Sequence, residues 1–167
     1  MRLFIAFRLS DHVRGALEAV QLDMMRRGVR GSFTRPENLH LTLAFIGEYP
    51  DPEPVLEVLD ALPFAPIPLR LEGVGAFGDL WWIGVARTDA LAAYVRRLRR
   101  ALADADIPFD RKRFSPHITL VRRAVCAGGM PVIVPPDAEM LAERASLMRS
   151  DRGRNGMIYN ELTLQNR

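Results

Sequence analysis

The sequence predicts an α+β protein built on antiparallel sheets, and three observations support that prediction. Segments in which apolar and polar residues alternate, as in half-buried strands, are interleaved with segments of helical period. Several strand segments follow one another without a helix between them, which is typical of antiparallel sheets and not of a doubly wound fold. No glycine-rich loop of the kind that binds nucleotides follows a strand segment.

The composition is that of an ordinary globular chain. Its 167 residues are 49% hydrophobic and 26% charged, which suits one domain with a sizeable core. Cys126 is the only cysteine, so an internal disulfide and a cysteine-based zinc site are both excluded. No apolar run approaches the roughly 20 residues of a membrane span, and the first run stops at Arg8, before signal-peptide length. We therefore expect a soluble, cytoplasmic protein with no membrane association.

Arginine supplies nearly all of the positive charge. Of the 23 Lys and Arg residues only Lys112 is lysine. The planar guanidinium group suits phosphate, but a GC-rich genome would give the same bias, and a net charge of +3 says little about partners. The composition therefore permits an anionic ligand without requiring one.

The first half of the chain begins with a strand and a capped helix. Arg2–Arg8 is apolar enough for a buried strand, and the Ser10 hydroxyl is placed to cap a helix that starts near Asp11. The apolar residues of that helix recur at helical spacing: Val13, Leu17, Val20 and Met24. Gly28–Gly31 ends the helix.

An extended segment through Phe33 and a turn at Pro36–Asn38 lead into a second strand. Its alternation predicts one face formed by Leu39, Leu41, Leu43 and Phe45. The opposite face is predicted to hold His40, Thr42 and Ala44. A short helix around Val55, Leu56 and Leu59 and a strand at Leu69–Val74 follow.

The second half contains the clearest helix. After a strand at Trp81–Ala86, Thr88 is placed to cap a helix with an apolar face: Leu91, Tyr94, Val95, Leu98 and Leu102. Its outer face, expected to be solvated, carries Arg96, Arg97, Arg99 and Arg100. The strand Phe114–Arg122 is predicted to place His117, Thr119 and Val121 on one face. Beyond a loop at Gly128–Pro136, two weaker strands at Ala145–Met148 and Tyr159–Leu164 flank the turn-rich segment Asp151–Gly156.

One tetrad occurs twice, as His40-Leu41-Thr42-Leu43 and His117-Ile118-Thr119-Leu120. Both copies lie in alternating strands, where the side-chain period is two. The His and the Thr of each copy therefore point to the same side, with their Cβ atoms about 7 Å apart. Each copy presents an imidazole and a hydroxyl on the face opposite its two apolar residues.

If the two strands are neighbours, this set suits a phosphodiester. Displacement at phosphorus needs one group to take a proton from the attacking oxygen and another to give a proton to the departing oxygen. Histidine can do either at neutral pH. Hydroxyls and a nearby arginine can hold the non-bridging oxygens and stabilise their developing charge.

Three other interpretations of the tetrads remain open. The polar residues could be ordinary half-exposed positions of two strands. The histidine pair could bind a metal, although no Asp, Glu or Cys stands at a supporting spacing in either tetrad. The pocket could also hold an RNA end or a nucleotide without catalysis, although hydroxyls and arginine alone would suffice for that.

At these residues the chain resembles the 2H phosphoesterase superfamily, which is named for two His-x-[Thr/Ser]-x motifs. Within it, the chain resembles the bacterial RNA 2′,3′-cyclic phosphodiesterases, also called 2′-5′ RNA ligases. The resemblance covers essentially the full length: residues 2–7, 35–43, 80–85, 114–122, and 147–150 with Tyr159.

The resemblance implies a bilobal, pseudo-symmetric α+β fold in which two antiparallel sheets form a central cleft with helices outside. Residues 1–167 would then be one domain of two lobes. It implies hydrolysis of 2′,3′-cyclic phosphate ends of RNA or nucleotides to 2′-phosphomonoesters, without metal or other cofactor. Reversible 2′-5′ joining of RNA ends would be a minor activity in water. The same chemistry on a cyclic phosphate of an ADP-ribose derivative, or on a 2′-5′-linked oligonucleotide, stays open. We expect a monomer with no obligate protein partner.

The residue roles follow from the motifs and the resemblance. We hypothesise that His117 is the general base on the attacking water and His40 the general acid toward the 3′-oxygen, although the near symmetry of the motifs permits the reverse order. Thr42 and Thr119 would bind the non-bridging oxygens. Arg122 matches the basic position that follows the second motif and is a candidate phosphate ligand.

Further candidates for contacts with RNA flank the motifs or lie on the same strands. Basic residues can follow a phosphate backbone and aromatic rings can stack on bases, although aromatic residues at strand spacing are more often core. The candidates are Arg35, Lys112, Arg113, Phe7, Phe45 and Trp82.

Overall fold

The computed structural model describes residues 1–163, which form two antiparallel sheets and three α-helices. In chain order the elements are β1 (Arg2–Arg8), α1 (Asp11–Arg26), β2 (Arg30–Phe33), a 3₁₀ turn (Pro36–Asn38), β3 (His40–Glu48), α2 (Glu53–Ala61), β4 (Ile67–Phe77), β5 (Leu80–Val85), α3 (Asp89–Asp104), β6 (His117–Val125), β7 (Glu139–Ala142), β8 (Ser146–Gly153) and β9 (Gly156–Leu162). The prediction of an α+β fold with antiparallel sheets is confirmed.

Each half of the chain contributes strands to both sheets. The first sheet has the order β3-β1-β8-β9, so its last two strands come from the C-terminal part of the described chain. The second sheet has the order β2-β6-β5-β4-β7, so a strand of the N-terminal half forms its edge. All neighbouring strands run antiparallel. The sheets are therefore connected by strand exchange and not only by linkers.

Both predicted helix caps are present. The Ser10 hydroxyl accepts a hydrogen bond from the Val13 backbone N–H at 3.2 Å, and Thr88 accepts one from Leu91 at 3.2 Å. Such a side-chain oxygen satisfies a backbone donor that the first helical turn leaves free. The apolar faces of α1 and α3 then pack into one hydrophobic cluster that includes residues of both sheets.

The central strand β1 is buried on both faces. Leu3, Ile5 and Phe7 point into the main core, whereas Phe4 and Ala6 form a small cluster with Met148 on the other face of the sheet. Such two-sided burial explains why this strand is a continuous apolar run without alternation. The second face is the one that bears the first motif.

A β-bulge in β3 corrects the predicted pattern of that strand. Ile5 lies opposite Ala44 and Ala6 opposite Thr42, so Leu43 is an extra residue in the pairing. Leu43 and Ala44 are both buried, and Phe45 is partly exposed. The prediction that Ala44 shares the His40 face and Phe45 the opposite one is wrong, because the bulge shifts the side-chain phase by one residue.

The second motif strand carries the same irregularity. Trp81 lies opposite Val121 and Trp82 opposite Thr119, which makes Leu120 the extra residue of β6. Leu120 and Val121 are both fully buried. The prediction that Val121 shares the His117 face is therefore wrong, and exposed Arg122 follows instead. The two bulges place Phe45 and Arg122 at matching positions, five residues after the histidines.

Some predicted boundaries differ from the structure. The strand predicted at Leu69–Val74 runs from Ile67 to Phe77 and so is longer at both ends. The edge strand β7 was not predicted, because its four residues show no clear alternation of apolar and polar side chains. Leu164, the end of the last predicted strand, lies outside the described residues. Within residues 1–163 no helix is both long and apolar enough to cross a bilayer.

Phe7 is a core residue, so the prediction that it contacts a base is wrong. Its side chain is 0% exposed and its ring lies 5.9 Å from each of the rings of Phe64 and Tyr94. An aromatic ring enclosed in this way cannot stack on a ligand.

We expect Phe7→Ala to lower the free energy of unfolding by about 3–5 kcal/mol, because it removes buried apolar surface and leaves a cavity. Urea denaturation measures the change. Phe7→Leu, which fills most of the space, should cost clearly less and leave catalysis unchanged. A loss below about 1 kcal/mol for the alanine variant would contradict the core assignment.

Candidate active site

The two motif strands approach each other across a cleft between the sheets. β3 is the edge strand of the first sheet and β6 an inner strand of the second, and the two come close without pairing. His40, Thr42 and Arg122 line a first cavity of about 310 Å³. Thr42 and Phe45 also line a second cavity of about 490 Å³, together with His117. The structure thus brings residues of both motifs to adjoining cavities.

The imidazole of each candidate catalytic histidine is held by the main-chain carbonyl of the residue two positions before it. His40 Nδ1 lies 2.7 Å from the Asn38 carbonyl oxygen, and His117 Nδ1 lies 2.6 Å from that of Ser115. A carbonyl oxygen only accepts hydrogen bonds, so Nδ1 of each ring carries the proton and donates it. The neutral form of each ring therefore has its lone pair at Nε2.

The two Nε2 atoms differ in their surroundings. Nε2 of His40 lies 2.9 Å from Thr42 Oγ1, and the Thr42 hydroxyl donates to it in the neutral ring. His117 makes no corresponding bond to Thr119 within the described residues. The two motifs therefore give two rings of the same tautomer whose Nε2 atoms have different surroundings.

Aromatic rings fix the plane of each imidazole. The His40 ring lies 4.8 Å from that of Phe4 and 5.3 Å from that of Tyr159, which meets it edge-on. The ring of Phe77 lies 5.1 Å from the His117 ring, and that of Trp82 lies 5.9 Å from it. Such walls restrict side-chain rotation and reduce the access of water.

A glycine gives Trp82 its position. Gly75 lies opposite Trp82 in the pairing of β4 and β5, and a Cβ atom on Gly75 would stand 2.3 Å from the Trp82 ring. Only glycine lets the indole lie this close to the neighbouring strand. Trp82 is thus a partly buried wall beside His117, and base stacking on it stays a prediction.

Positive charge surrounds His40. Burial lowers the pKa of His40 below its usual 6.5; the hydrogen bond to Asn38 opposes this effect, and the charges of Arg122 and His117 reinforce it. The neutral, proton-accepting form of His40 is therefore favoured. The influence of Arg122 and His117 on this ring also reflects how close the two motif strands lie.

The other predicted contacts fall into three groups. Phe45 lines both cavities, and Lys112 and Arg113 line the second one. Thr119 is partly exposed and lines neither cavity. Arg35 also lines neither, because its guanidinium group donates to the Met157 carbonyl oxygen at 2.6 Å and supports the turn before the first motif.

Several lining residues were not among the sequence-based candidates. The first cavity also contains Arg2, Phe4, Ser150, Arg152, Met157 and Tyr159. They come from the two ends of the chain, and no local pattern shows that these ends meet at the first motif. Arg2, Phe4, Ser150 and Tyr159 fall in segments that carry the family resemblance, whereas Arg152 and Met157 had no signal in the sequence.

Arg99 corrects the prediction of a solvated arginine face on α3. Arg96, Arg97 and Arg100 are exposed or partly exposed on that face, but Arg99 is partly buried and lines the second cavity. Its position was readable from spacing, because Arg99 follows the core residues Leu91 and Val95 at intervals of four and so lies at the border of the apolar face.

No group of three or more His, Cys, Asp or Glu side chains in residues 1–163 is arranged to hold a metal ion. The side chains that line the two cavities supply imidazole, hydroxyl, guanidinium and ammonium groups and one carboxylate, that of Asp110. This donor set suits an anionic ligand and proton transfer at neutral pH.

A cleft between two antiparallel sheets, with a His-x-Thr-x strand from each, defines the class: the chain belongs to the 2′-5′ RNA ligase superfamily, the 2H phosphoesterases. A sequence profile of the 2′-5′ RNA ligase superfamily matches residues 9–154.

Individual relatives resemble the chain over nearly its whole length. A Thermus thermophilus protein named RNA 2′,3′-cyclic phosphodiesterase is 34% identical over 97% of this chain and 88% of its own length. The crystal structure of TT0787 of Thermus thermophilus has a TM-score of 0.81 at 32% identity, covering 98% of this chain and 96% of that one. That of E. coli LigT complexed with 3′-AMP has a TM-score of 0.79 at 26% identity, covering 97% and 94%.

The lowered pKa of His40 predicts an acid-dependent loss of stability. Below about pH 6.5 an unfolded chain binds a proton at this residue that the folded chain does not, so the free energy of unfolding falls as the pH drops from there through the folded-state pKa. The loss should be smaller in His40→Gln, whose side chain does not titrate. Urea denaturation at about pH 7.5 and about pH 5.5 measures it. Equal losses in both proteins would contradict the prediction.

Proposed function

We propose that this protein hydrolyses 2′,3′-cyclic phosphate ends of RNA to 2′-phosphomonoesters by acid–base catalysis with two histidines. One observation carries the proposal: both motif imidazoles are fixed through Nδ1 to a carbonyl, so Nε2 is the atom of each ring that can exchange a proton at the cleft. The names of the relatives support the substrate. We further propose that residues 1–167 act as one two-lobed domain, as a cytoplasmic monomer.

The phosphate is held by groups from both sheets. Arg122 projects from β6 into the cavity that His40 lines, so its guanidinium group can bind a non-bridging oxygen and stabilise the charge that grows there. Thr42 lies where the two cavities adjoin and can donate its hydroxyl to the same phosphate. Thr119, on the His117 face of β6, is proposed to bind the other non-bridging oxygen.

The surroundings of the two rings favour His40 as the base, which reverses the order expected from the sequence. His40 accepts a hydrogen bond at Nε2 from Thr42, and its lowered pKa favours the neutral form. A neutral imidazole accepts a proton from water, whereas the acid must enter the reaction protonated. His117, which has no hydroxyl on its Nε2 among the described residues, then supplies the proton.

The reaction balances with these two groups alone. The water oxygen bonds to phosphorus while its proton passes to His40 Nε2, and the bond from phosphorus to O3′ breaks while His117 Nε2 protonates O3′. The products are a 2′-phosphate and a free 3′-hydroxyl, and solvent restores both rings. When a ribose 5′-hydroxyl replaces water, the same steps form a 2′-5′ linkage, and their reversal cleaves it.

Alanine substitution of the histidines tests the proposal. His40→Ala and His117→Ala should each lower kcat for adenosine 2′,3′-cyclic phosphate by about 10²–10⁴-fold, the usual contribution of one acid or base. His12→Ala, at the exposed third histidine, is the matched control and should retain full activity. The assay contains EDTA, and the product is identified as the 2′- or 3′-phosphate. Full turnover in the double variant would refute two-histidine catalysis.

The assignment of acid and base has its own test, a 2′,3′-cyclic substrate in which sulfur replaces the bridging 3′-oxygen. A thiolate leaves without being protonated, so loss of the general acid matters little for this substrate. We expect His117→Ala to recover most of its lost rate and His40→Ala to stay impaired. The opposite pattern would make His40 the acid.

A further inference from the structure

The second cavity contains an excess of positive charge that the proposed reaction does not use. Arg99, Lys112 and Arg113 line it together with a single carboxylate, that of Asp110. None of the three basic side chains forms an ion pair within residues 1–163. The Asp110 carboxylate already accepts a hydrogen bond from the Lys112 backbone N–H at 3.0 Å. The charge of this cavity therefore favours an anionic ligand.

Arg99 is the fixed member of this set. Its guanidinium carbon lies 5.9 Å from the ring centre of Phe109 and 5.8 Å from that of Phe114, and Nη1 donates to the Lys112 carbonyl oxygen at 2.7 Å. Burial lowers the pKa of Arg99, and the charge of Asp110 offsets this effect only in part, which is the expected cost of holding a cation away from water. Arg99 thus orders the segment that carries the other two cations.

That segment also connects the two motif strands. The Asp110 backbone N–H donates to the Phe45 carbonyl oxygen at 2.8 Å, which joins it to β3. The Phe114 carbonyl oxygen accepts a hydrogen bond from Arg87, and the Ser115 carbonyl oxygen holds His117. A ligand bound by these cations would therefore lie next to the general acid.

We propose that Arg99, Lys112 and Arg113 bind the phosphate on the 5′ side of the terminal nucleotide, so that the protein selects RNA ends over unphosphorylated nucleosides with a cyclic phosphate. The inference rests on the proposed function, in which His117 protonates O3′. Because O3′ belongs to the ribose, the terminal nucleoside must lie on the His117 side, in the larger cavity. Phe45, Phe77 and Phe114 offer it apolar contact there, and its 5′-oxygen leads to the cations.

Two substrates that differ by one group test the subsite. Adenosine 2′,3′-cyclic phosphate is compared with its 5′-phosphorylated form, and kcat/KM should be about tenfold higher for the latter, as for one charge-assisted contact. Added salt should reduce the ratio. A dinucleotide with the same cyclic end should show the same gain, because it also places a phosphate there. A gain with the dinucleotide alone would overturn the assignment to phosphate.

Matched variants locate the effect. Arg99→Gln, Lys112→Gln and Arg113→Gln should each lower the ratio, and the last two change exposed side chains, which keeps the test valid if Arg99→Gln folds poorly. Arg100→Gln, exposed on the same helix, and Arg152→Gln, exposed at the first cavity, should leave it unchanged. The proposal would be overturned if Arg152→Gln abolished the preference for the 5′-phosphorylated substrate while Arg99→Gln, Lys112→Gln and Arg113→Gln kept it.

The two proposals fail in different ways. Equal turnover of both mononucleotides would remove the subsite and leave the hydrolase function intact. Absence of turnover for every substrate would remove the function. In that case the subsite is tested by binding. The affinity of the double variant His40→Ala, His117→Ala for the same two mononucleotides is measured by calorimetry. Tighter binding of the 5′-phosphorylated form would support the subsite, and equal affinity would overturn it.

Discussion

The proposed chemistry of this protein depends on one repeated hydrogen bond, from the Nδ1 of a histidine to the carbonyl oxygen two residues earlier. The bond has two effects: it selects the tautomer of the ring, and it orients Nε2 toward the cleft. It needs only a strand that begins at the histidine and a turn or extended segment before it. The aromatic walls, the hydroxyls and Arg122 all act on rings whose orientation the main chain has already decided.

The β-bulges add a further side chain from each motif strand to the cleft. A regular strand would have pointed the fifth residue after each histidine away from the cleft, since the side-chain period is two. An extra residue between each histidine and the fifth position brings Phe45 and Arg122 to the same side as the histidines. The two equivalent positions differ in chemistry, an aromatic ring on one side and a cation on the other. The backbone of the two motif strands is therefore nearly symmetric, whereas the side chains at these two positions are not.

Local pattern predicted most elements and both motif strands, because caps, helical spacing and strand alternation are properties of neighbouring residues. It failed where distant parts of the chain decide the outcome. The bulges arise from pairing with β1 and β5, and Phe7 is enclosed by Phe64 and Tyr94. For the same reason the cavity residues that lie near the motifs in sequence, such as Phe45, Lys112 and Arg122, were predictable, whereas Arg2 and Arg152, from distant parts of the chain, were not.

Strand exchange between the sheets has a consequence for how the molecule is assembled. Because β2 sits beside β6, and β8 beside β1, neither sheet is complete until chain from both sides of the midpoint is present. A polypeptide cut near its middle would therefore give two fragments that each lack strands of both sheets, so neither fragment contains a complete sheet on which to fold. The two imidazoles lie on strands of different sheets, so their separation is set only when both sheets have formed.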